Sequence, residues 1–209
     1  LLNAAKVVGK AVGSLRVVIN GAGSAGTAIA RMLHRLGVGE LVVCDRSGIL
    51  NSRTQVTPAQ AELAQLVNPG EHSGNLADAM TGRDVFIGVS APGVVTPAMV
   101  ASMAPGAIVF PMANPEPEIM PDAAIAAGAA VVGTGRSDFP NQINNVLAFP
   151  GVFRGTLDAG ARQITPEMML AAAFAIAGAV PAEELSANQV VPSVFAPGVA
   201  DTVAQAVAN

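Results

Sequence analysis

Residues 15–26 read Leu-Arg-Val-Val-Ile-Asn-Gly-Ala-Gly-Ser-Ala-Gly. A short β-branched run leads into a glycine-rich turn, and the amphipathic segment 27–36 follows, which predicts a strand, a tight turn and a helix. In such a turn Gly21 permits the sharp bend, Gly23 lets the backbone approach a pyrophosphate, and Gly26 lets the helix pack close to the strand. The pattern is typical of dinucleotide-binding turns, in which phosphates lie at the start of the helix.

A second apolar segment, residues 40–45, completes a strand–helix–strand unit. Its last residue, Asp45, follows Gly26 by 19 residues, close to the spacing of a carboxylate that bonds an adenosine ribose. A carboxylate there repels a 2′-phosphate and favours NAD, whereas the neighbouring Arg46 could accept that phosphate, so NADP stays open. The alternative is that Asp45 is an ordinary turn residue at the strand end.

Strands and helices alternate along most of the chain. Further strands are expected at 84–89, 107–110 and 130–133, and helices at 1–12, 58–67, 75–81, 96–103, 121–127, 165–178 and 199–208. The remainder of segment 48–71 shows no regular pattern. This alternation predicts an α/β fold with a mainly parallel, doubly wound sheet of Rossmann type and C-terminal helices. We expect residues 1–160 to form the dinucleotide-binding domain, including the opening helix, and residues 161–209 a helical extension.

Two loops at the carboxyl ends of predicted strands hold candidate binding residues. The small-residue loop Ser90-Ala91-Pro92-Gly93 follows the strand across the predicted switch point, where a cofactor crosses the sheet edge. Asn114 lies in the proline-stiffened loop 111–117, which suits a fixed polar contact. The alternative for each loop is an ordinary turn.

Residues 134–151, Thr-Gly-Arg-Ser-Asp-Phe-Pro-Asn-Gln-Ile-Asn-Asn-Val-Leu-Ala-Phe-Pro-Gly, are the least generic stretch. They place an arginine, an aspartate, three asparagines and a glutamine directly after a predicted core strand. Binding residues concentrate on loops held at this edge of a sheet. Asn144 and Asn145 could cap a helix, or their amides could bond hydroxyl and carboxylate groups of a ligand.

Composition limits the class of protein. The formal net charge is −4 and no basic cluster occurs, which argues against a nucleic-acid partner. The longest apolar run, residues 168–180, has 13 residues and is shorter than a membrane-spanning helix. Cys44 is the single cysteine and lies in an apolar strand, so we expect a buried thiol and no disulfide within the chain. These features indicate a cytoplasmic protein without a membrane partner.

The segments GRSDFPNQINN (135–145) and AFPGVFRGTLD (148–158) resemble malic enzymes, closest to the compact bacterial form. The motifs GAGSAG, CDRSG, GVSAPG, MANPEPEIMP and VVPSVF are similar to that family in order and spacing, so the resemblance covers essentially the whole chain. It implies oxidative decarboxylation of (S)-malate to pyruvate and carbon dioxide. It also implies NAD or NADP and a divalent cation, Mg²⁺ or Mn²⁺.

The resemblance assigns roles by position in this sequence. The pyrophosphate turn is matched by Gly21, Gly23, Ser24, Ala25 and Gly26, and the adenosine ribose contact by Asp45, beside Arg46. The loop beside the nicotinamide half is matched by Ser90, Ala91, Pro92 and Gly93. Asn114, and one of Asn144 or Asn145, match the amides that touch the nicotinamide ribose and malate.

The chain also departs from the family pattern. The family's catalytic tyrosine, catalytic lysine and acidic metal ligands lie upstream of the cofactor domain. This chain has no tyrosine. Its two lysines, Lys6 and Lys10, do not match the family's catalytic lysine. We expect no catalytic residue and no metal ligand in this chain, and interpret it as the cofactor-binding half of a longer enzyme. Alone it should bind cofactor weakly and catalyse nothing; the missing N-terminal half and further copies, as a homodimer or higher homo-oligomer, are the expected partners.

The remaining polar candidates are expected to have structural roles. Asp138 and Glu116 are metal-ligand candidates by residue type only. His34 and His72 are interpreted as non-catalytic, and Arg136 as bonding Asp138 or nearby loops rather than substrate. Two other functions stay open: a different Rossmann-type dehydrogenase, such as an amino-acid dehydrogenase, and a non-catalytic nucleotide-sensing module.

Overall fold

The computed structural model describes residues 1–53 and 57–209. The strands are β1 (Arg16–Asn20), β2 (Glu40–Asp45), β3 (Gly48–Ile49), β4 (Val85–Gly88), β5 (Ile108–Pro111) and β6 (Val131–Val132). In the described part of the chain they form one sheet in the order β3-β2-β1-β4-β5-β6, parallel throughout except for the β2–β3 pair. The predicted mainly parallel, doubly wound sheet is confirmed, and its switch point lies between β1 and β4.

Nine helices surround the sheet within the described residues. They are α1 (Leu2–Val7), α2 (Ser24–Leu36), α3 (Pro58–Val67), α4 (Leu76–Met80), α5 (Pro97–Ala101), α6 (Pro121–Ala126), α7 (Phe149–Asp158), α8 (Pro166–Gly178) and α9 (Val199–Ala208). Short 3₁₀ helices occur at Val12–Ser14, Asn145–Leu147 and Ala182–Glu184. Side-chain caps begin α3, α4, α5 and α8, with the oxygens of Thr57, Asn75, Thr96 and Thr165 accepting a first-turn N–H.

Helices cover both faces of the sheet. Val17 and Ile19 of β1 pack with buried residues of α1, α2 and α3. Val18, between them, packs with buried residues of α4, α5 and α6. Because successive strand side chains point to opposite faces, β1 is apolar on both and lies in the centre of the core.

Two helix boundaries differ from the sequence prediction by three residues or more. The opening helix ends at Val7 rather than near residue 12, because Gly9 adopts a φ of 69° and turns the chain away. The helix after the glycine turn begins at Ser24 rather than Thr27, because Gly23 is its N-cap and the turn itself supplies the first helical residues.

Two elements are absent from the sequence prediction. The helix α7 was missed because its large apolar residues Phe149 and Phe153 are exposed, so their spacing does not mark a buried face. The strand β3 has two residues and pairs antiparallel at the sheet edge, which is too short for a periodic signal. It begins the irregular segment, of which residues 54–56 lie outside the described residues.

The C-terminal helices pack against α7 and α1. The buried residues Leu147, Ala172, Val199, Val203 and Val207 form one apolar cluster among α7, α8 and α9. Gly151 allows α9 to approach closely, since a Cβ there would lie 2.6 Å from the carbonyl oxygen of Ala200. The amide of Asn3 in α1 donates to the carbonyl oxygens of Ala177 (2.8 Å) and Val190 (3.1 Å) and ties this cluster to the sheet domain. The boundary between residues 160 and 161 stays a prediction.

Candidate functional site

The glycine turn joins β1 to α2 at the carboxyl edge of the sheet. Gly21 has a φ of 123°, and a Cβ there would lie 2.5 Å from the carbonyl oxygen of Val89. A Cβ at Gly26 would collide with the carbonyl oxygen of Gly21. Gly23 differs, because nothing lies within 4 Å of the position its Cβ would take. The turn is therefore closed on the protein side and open on the other.

The first turn of α2 faces this open space. Its N-cap is Gly23, and among the described residues no side chain forms a capping hydrogen bond there. The first amide groups of a helix lack partners within the helix and carry the positive end of its dipole. Ser24 and Ala25 begin the helix at this point. A phosphate group fits here by charge and by space.

A cleft of about 1030 Å³ opens over the carboxyl ends of β1, β2 and β4. Its walls hold Asn20, Gly21, Ala22, Gly23, Asp45, Arg46, Ser47, Gly48, Thr57, Gln60, Asn75, Leu76, Ala77, Ser90, Ala91, Val94 and Met99. The cleft brings together the turn, the end of β2 and the first half of the Ser90–Gly93 loop. Asn114, Asn144 and Asn145 are not among its lining residues.

The carboxylate of Asp45 is held in a fixed position at the cleft wall. It accepts hydrogen bonds from the backbone N–H of Ser47 (2.7 Å) and from Nε2 of Gln60 (3.4 Å). Gln60 is itself held by a capping box with Thr57. Arg46 is exposed beside it. The geometry suits a hydroxyl donor in the cleft.

The loop after β4 is held from both sides. Nδ2 of Asn20 donates to Oγ of Ser90 at 2.8 Å. The backbone N–H of Ser90 donates to Oε1 of Glu118 at 2.8 Å, and its hydroxyl lies 3.0 Å from the same oxygen. Sequence analysis missed both Asn20 and Glu118. The available signals were a polar residue ending an apolar strand and a glutamate between Pro117 and Ile119 in the proline-rich loop.

Asn114 lies beside the polar segment that follows β6. A Cβ at Gly135 would lie 3.6 Å from Nδ2 of Asn114, so the two loops are neighbours. Within the polar segment, Oδ1 of Asn144 accepts the N–H of Val146 at 3.0 Å and caps a 3₁₀ helix. The side chain of Asn145 is exposed. The capping alternative is confirmed for Asn144.

Asn141 has a structural role that the sequence did not reveal. It is 6% exposed, and its Nδ2 donates to the carbonyl oxygens of Val132 (2.9 Å) and Ala187 (2.8 Å). Its Oδ1 accepts the N–H of Val190 at 2.8 Å. This one side chain therefore joins the end of the sheet to the C-terminal region.

The other polar candidates form local pairs. Arg136 binds Asp138 through two hydrogen bonds of 2.9 and 2.7 Å, and this bonding lowers the pKa of Asp138. His72 lies 3.3 Å from a carboxylate oxygen of Glu40. Cys44 is buried, and desolvation raises the pKa of its thiol to about 12. The predicted Arg136–Asp138 pair and the buried thiol are confirmed.

The described residues hold neither a metal-ligand cluster nor a membrane-spanning helix. Residues 1–53 and 57–209 contain no group of three or more His, Cys, Asp or Glu side chains that could hold a metal ion. In the same ranges no helix has the length and apolar character needed to cross a membrane.

The sheet order, the glycine turn and the carboxylate at the end of β2 define a nucleotide-binding domain of the Rossmann type. The chain belongs to the malic enzyme family: residues 1–209 match the family model described as "Malic enzyme, NAD binding domain".

Two curated relatives and one solved structure show the extent of the similarity. The chain is 53% identical to the bifunctional malic/malolactic enzyme of Bacillus subtilis, over 100% of this chain and 52% of the relative. It is 50% identical to the NAD-dependent malic enzyme of Geobacillus stearothermophilus, over 99% of this chain and 43% of the relative. The crystal structure of the NAD-dependent malic enzyme from Thermotoga maritima superposes with a TM-score of 0.94 at 41% identity, over 100% of this chain and 55% of that one. The chain therefore spans about half the length of these relatives.

Proposed function

We propose that this chain is the cofactor-binding portion of an enzyme that oxidises and decarboxylates (S)-malate to pyruvate and carbon dioxide with reduction of NAD(P). The family match over residues 1–209 carries the proposal. The cleft at the glycine turn supports it, because its open side and its uncapped helix suit a pyrophosphate. The relatives' greater length supports a catalytic half outside this chain.

The proposal assigns the dinucleotide to the described residues in three parts. The pyrophosphate is assigned to Gly21, Gly23, Ser24, Ala25 and Gly26, the adenosine ribose to Asp45 beside Arg46, and the nicotinamide half to Ser90, Ala91, Pro92, Gly93 and Asn114. Bound NAD(P) supplies the hydride acceptor. The chain's own contribution is to bind and orient it and to exclude water along the cleft.

NAD is the proposed preferred cofactor. The carboxylate of Asp45 is held at the cleft wall by Ser47 and Gln60, and a fixed negative charge there repels the 2′-phosphate of NADP. Arg46 is exposed next to it and keeps NADP as the second possibility. Relatives carry both names, since an NADP-dependent malic enzyme of Escherichia coli is 42% identical over 93% of this chain.

Malate is assigned to two amides, those of Asn114 and Asn145. Asn145 is favoured over Asn144 because Oδ1 of Asn144 already caps the 3₁₀ helix. The Mg²⁺ or Mn²⁺ of the intact enzyme is assigned to its other half, where the family resemblance implies the acidic metal ligands. The proton-transferring groups are assigned there too, since the chain has no tyrosine.

The exposed face of α7 supports a contact with that other half. Phe149, Phe153 and Leu157 recur every four residues on one side of the helix and are 60%, 51% and 74% exposed. We name these three residues the α7 stripe. Apolar residues exposed in a row mark an interaction surface.

Two further parts of the proposal are a homo-oligomer and a cytoplasmic location. Phe174 of α8 and Phe195 are also exposed, at 54% and 91%, and exposed apolar side chains outside the α7 stripe support contacts between copies. The free thiol of Cys44, buried in β2, is compatible with a reducing compartment.

The test is malate oxidation by the intact protein with Mg²⁺ or Mn²⁺ and each cofactor. We expect pyruvate to form with NAD faster than with NADP, whereas the 209-residue chain alone binds NAD and forms no pyruvate. Lactate is measured alongside, because one relative is named a malic/malolactic enzyme. Absence of malate turnover with both cofactors would contradict the proposal.

Replacing Asp45 by alanine tests the ribose assignment. Losing a charged hydrogen-bond acceptor should raise the KM for NAD about tenfold and change the KM for malate by less than about twofold. Asp122→Ala, an exposed aspartate on α6, is the control and should leave both constants unchanged. Equal effects of Asp45→Ala on the two KM values would contradict a ribose contact.

A further inference from the structure

Glu118 is a buried glutamate behind the two loops assigned to the nicotinamide half. Its exposed fraction is 0%, and it lies in the connection between β5 and α6. Oε1 accepts the backbone N–H of Ser90 at 2.8 Å and the Ser90 hydroxyl at 3.0 Å. Oε2 accepts the backbone N–H of Ala113 at 3.0 Å. Each carboxyl oxygen therefore holds a different loop.

The network extends to the neighbouring strand. Nδ2 of Asn20, the last residue of β1, donates to Oγ of Ser90 at 2.8 Å, so that hydroxyl accepts from Asn20 and donates to Glu118. The strands β1, β4 and β5 are adjacent in the sheet. The hydrogen bonds thus cross three strand ends at the edge where ligands bind in such sheets.

The backbone around Glu118 is joined to the same loop. The N–H of Gly93 donates to the carbonyl oxygen of Pro117 at 3.1 Å, and the N–H of Val95 donates to that of Glu118 at 3.0 Å. Gly88, at the end of β4, leaves the space for the carboxyl group, because a Cβ there would collide with it. The segment that follows β4 is therefore held at Ser90, Gly93 and Val95.

Burying a carboxyl group is costly unless donors compensate for the lost water. Among the described residues Glu118 pairs with no lysine or arginine, and the two N–H groups and one hydroxyl act in their place. Two of these donors belong to Ser90, and the third lies one peptide before Asn114. The hydrogen bonds that compensate for burial of this carboxyl group therefore come from the two loops assigned to the nicotinamide half rather than from the core.

We propose that Glu118 is a positioning residue for the nicotinamide half of the cofactor. It holds the Ser90 loop and the Ala113–Asn114 peptide in one arrangement before the cofactor binds. Binding therefore loses no free energy to the ordering of these two segments. Glu118 acts through these loops and does not itself contact the ligand. This inference rests on the proposed function.

Glu118→Gln in the intact protein is the test, with calorimetric titration of NAD and of ADP. Glutamine keeps the size but turns one acceptor into a donor, which must face the N–H of Ser90 or of Ala113 and release that loop. We expect NAD affinity to fall about tenfold. The affinity for ADP, which has the adenosine and diphosphate but lacks the nicotinamide riboside, should change by less than about twofold. Glu116→Gln, an exposed glutamate in the same loop, should bind both ligands as the wild type does.

The possible results distinguish failure of the proposed function from failure of the positioning role of Glu118. If the wild-type intact protein binds no NAD, the proposed function itself is contradicted. If the wild type binds NAD and Glu118→Gln binds it equally well, only the positioning role is overturned. Equal loss of NAD and ADP affinity would also overturn it, because a general scaffold does not distinguish the two halves. If Glu118→Gln fails to fold, Glu118→Asp, which shortens the reach without inverting polarity, should show the same NAD-selective loss at smaller size.

Discussion

Gly21, Gly23 and Gly26 belong to one turn, but their surroundings differ. The space beside Gly21 and Gly26 is filled by protein backbone, so neither position accepts a side chain. The space beside Gly23 is empty to 4 Å and faces the cleft. Two glycines of the motif therefore serve the packing of the domain, and the third borders open space in the cleft.

Alanine at Gly26 should affect the stability of the fold, whereas alanine at Gly23 should affect NAD binding. Gly26→Ala forces the Gly21 carbonyl aside and should lower the free energy of unfolding by about 1–3 kcal/mol. Gly23→Ala should leave the Tm nearly unchanged, because its φ of −78° suits any residue, and weaken NAD binding about tenfold or more. Thermal unfolding and NAD titration of both variants provide the measurement. A Gly23→Ala variant that binds NAD as tightly as the wild type would contradict the assignment of the pyrophosphate to this turn.

Asp84 shows how two strands and the N-terminal region are joined. It directly precedes β4 and accepts hydrogen bonds from the Arg16 backbone N–H (2.8 Å), Arg16 Nε (3.1 Å) and Lys10 Nζ (2.7 Å). Its side chain is 7% exposed. Burial by itself raises the pKa of this carboxyl, but the bonds from Arg16 and Lys10 outweigh it and lower the pKa to about 2.

This carboxylate should make stability depend on acid pH. Because the folded pKa of about 2 lies below the ordinary 3.8, its contribution is complete above about pH 4 and is lost as the pH falls towards 2. Asp84→Asn should lower the free energy of unfolding by about 1–2 kcal/mol at pH 7, a value reduced for the exposure of Arg16. The difference from wild type should shrink between pH 4 and pH 2 in urea unfolding experiments.

A surface ion pair provides the control for that prediction. Arg31 and Glu62 lie 2.7 Å apart but are 43% and 68% exposed, so Glu62→Gln should change stability by less than about 0.5 kcal/mol. An Asp84→Asn variant as stable as Glu62→Gln at pH 7 would contradict the assigned role of Asp84.

The α7 stripe concerns the whole molecule. One side of α7 carries glycines that admit α9, and the other carries Phe149, Phe153 and Leu157, with the two phenylalanine rings 5.1 Å apart. Burial of each such side chain is worth roughly 1.5–3 kcal/mol. One side of α7 is thus covered by its own domain, and the other is an exposed apolar surface of the kind that marks an interaction site.

We expect the intact protein to cover the α7 stripe with its other half. The 209-residue chain should bind a hydrophobic fluorescent dye, and Phe153→Ser should reduce that signal, whereas the intact protein should bind little dye. Arg154→Ser is the matched control, because it places the same serine on α7 without removing an apolar side chain, and it should leave the signal unchanged. Equal dye binding by the intact protein would contradict the contact. If the 209-residue chain formed dimers as its concentration rose, we would instead infer that a second copy covers the α7 stripe.

Local patterns determined much of this protein by themselves. Strand and helix periods, threonine and asparagine caps and the glycine turn depend on neighbouring residues, so the sheet, most helix boundaries and the position of Asp45 could be predicted from the sequence. The specific motif in residues 134–158 determined the family in the same way.

Only the tertiary structure decided which residues hold the site together. Glu118 bonds a serine 28 positions away, and Asn141 bonds a residue 49 positions away, distances over which no local pattern operates. Which side of α7 is buried also depends on where α9 packs. The sequence did not reveal this, because the large apolar residues of α7 lie on its exposed side. Binding residues follow from short motifs, whereas the residues that support them follow from contacts that exist only once the chain has folded.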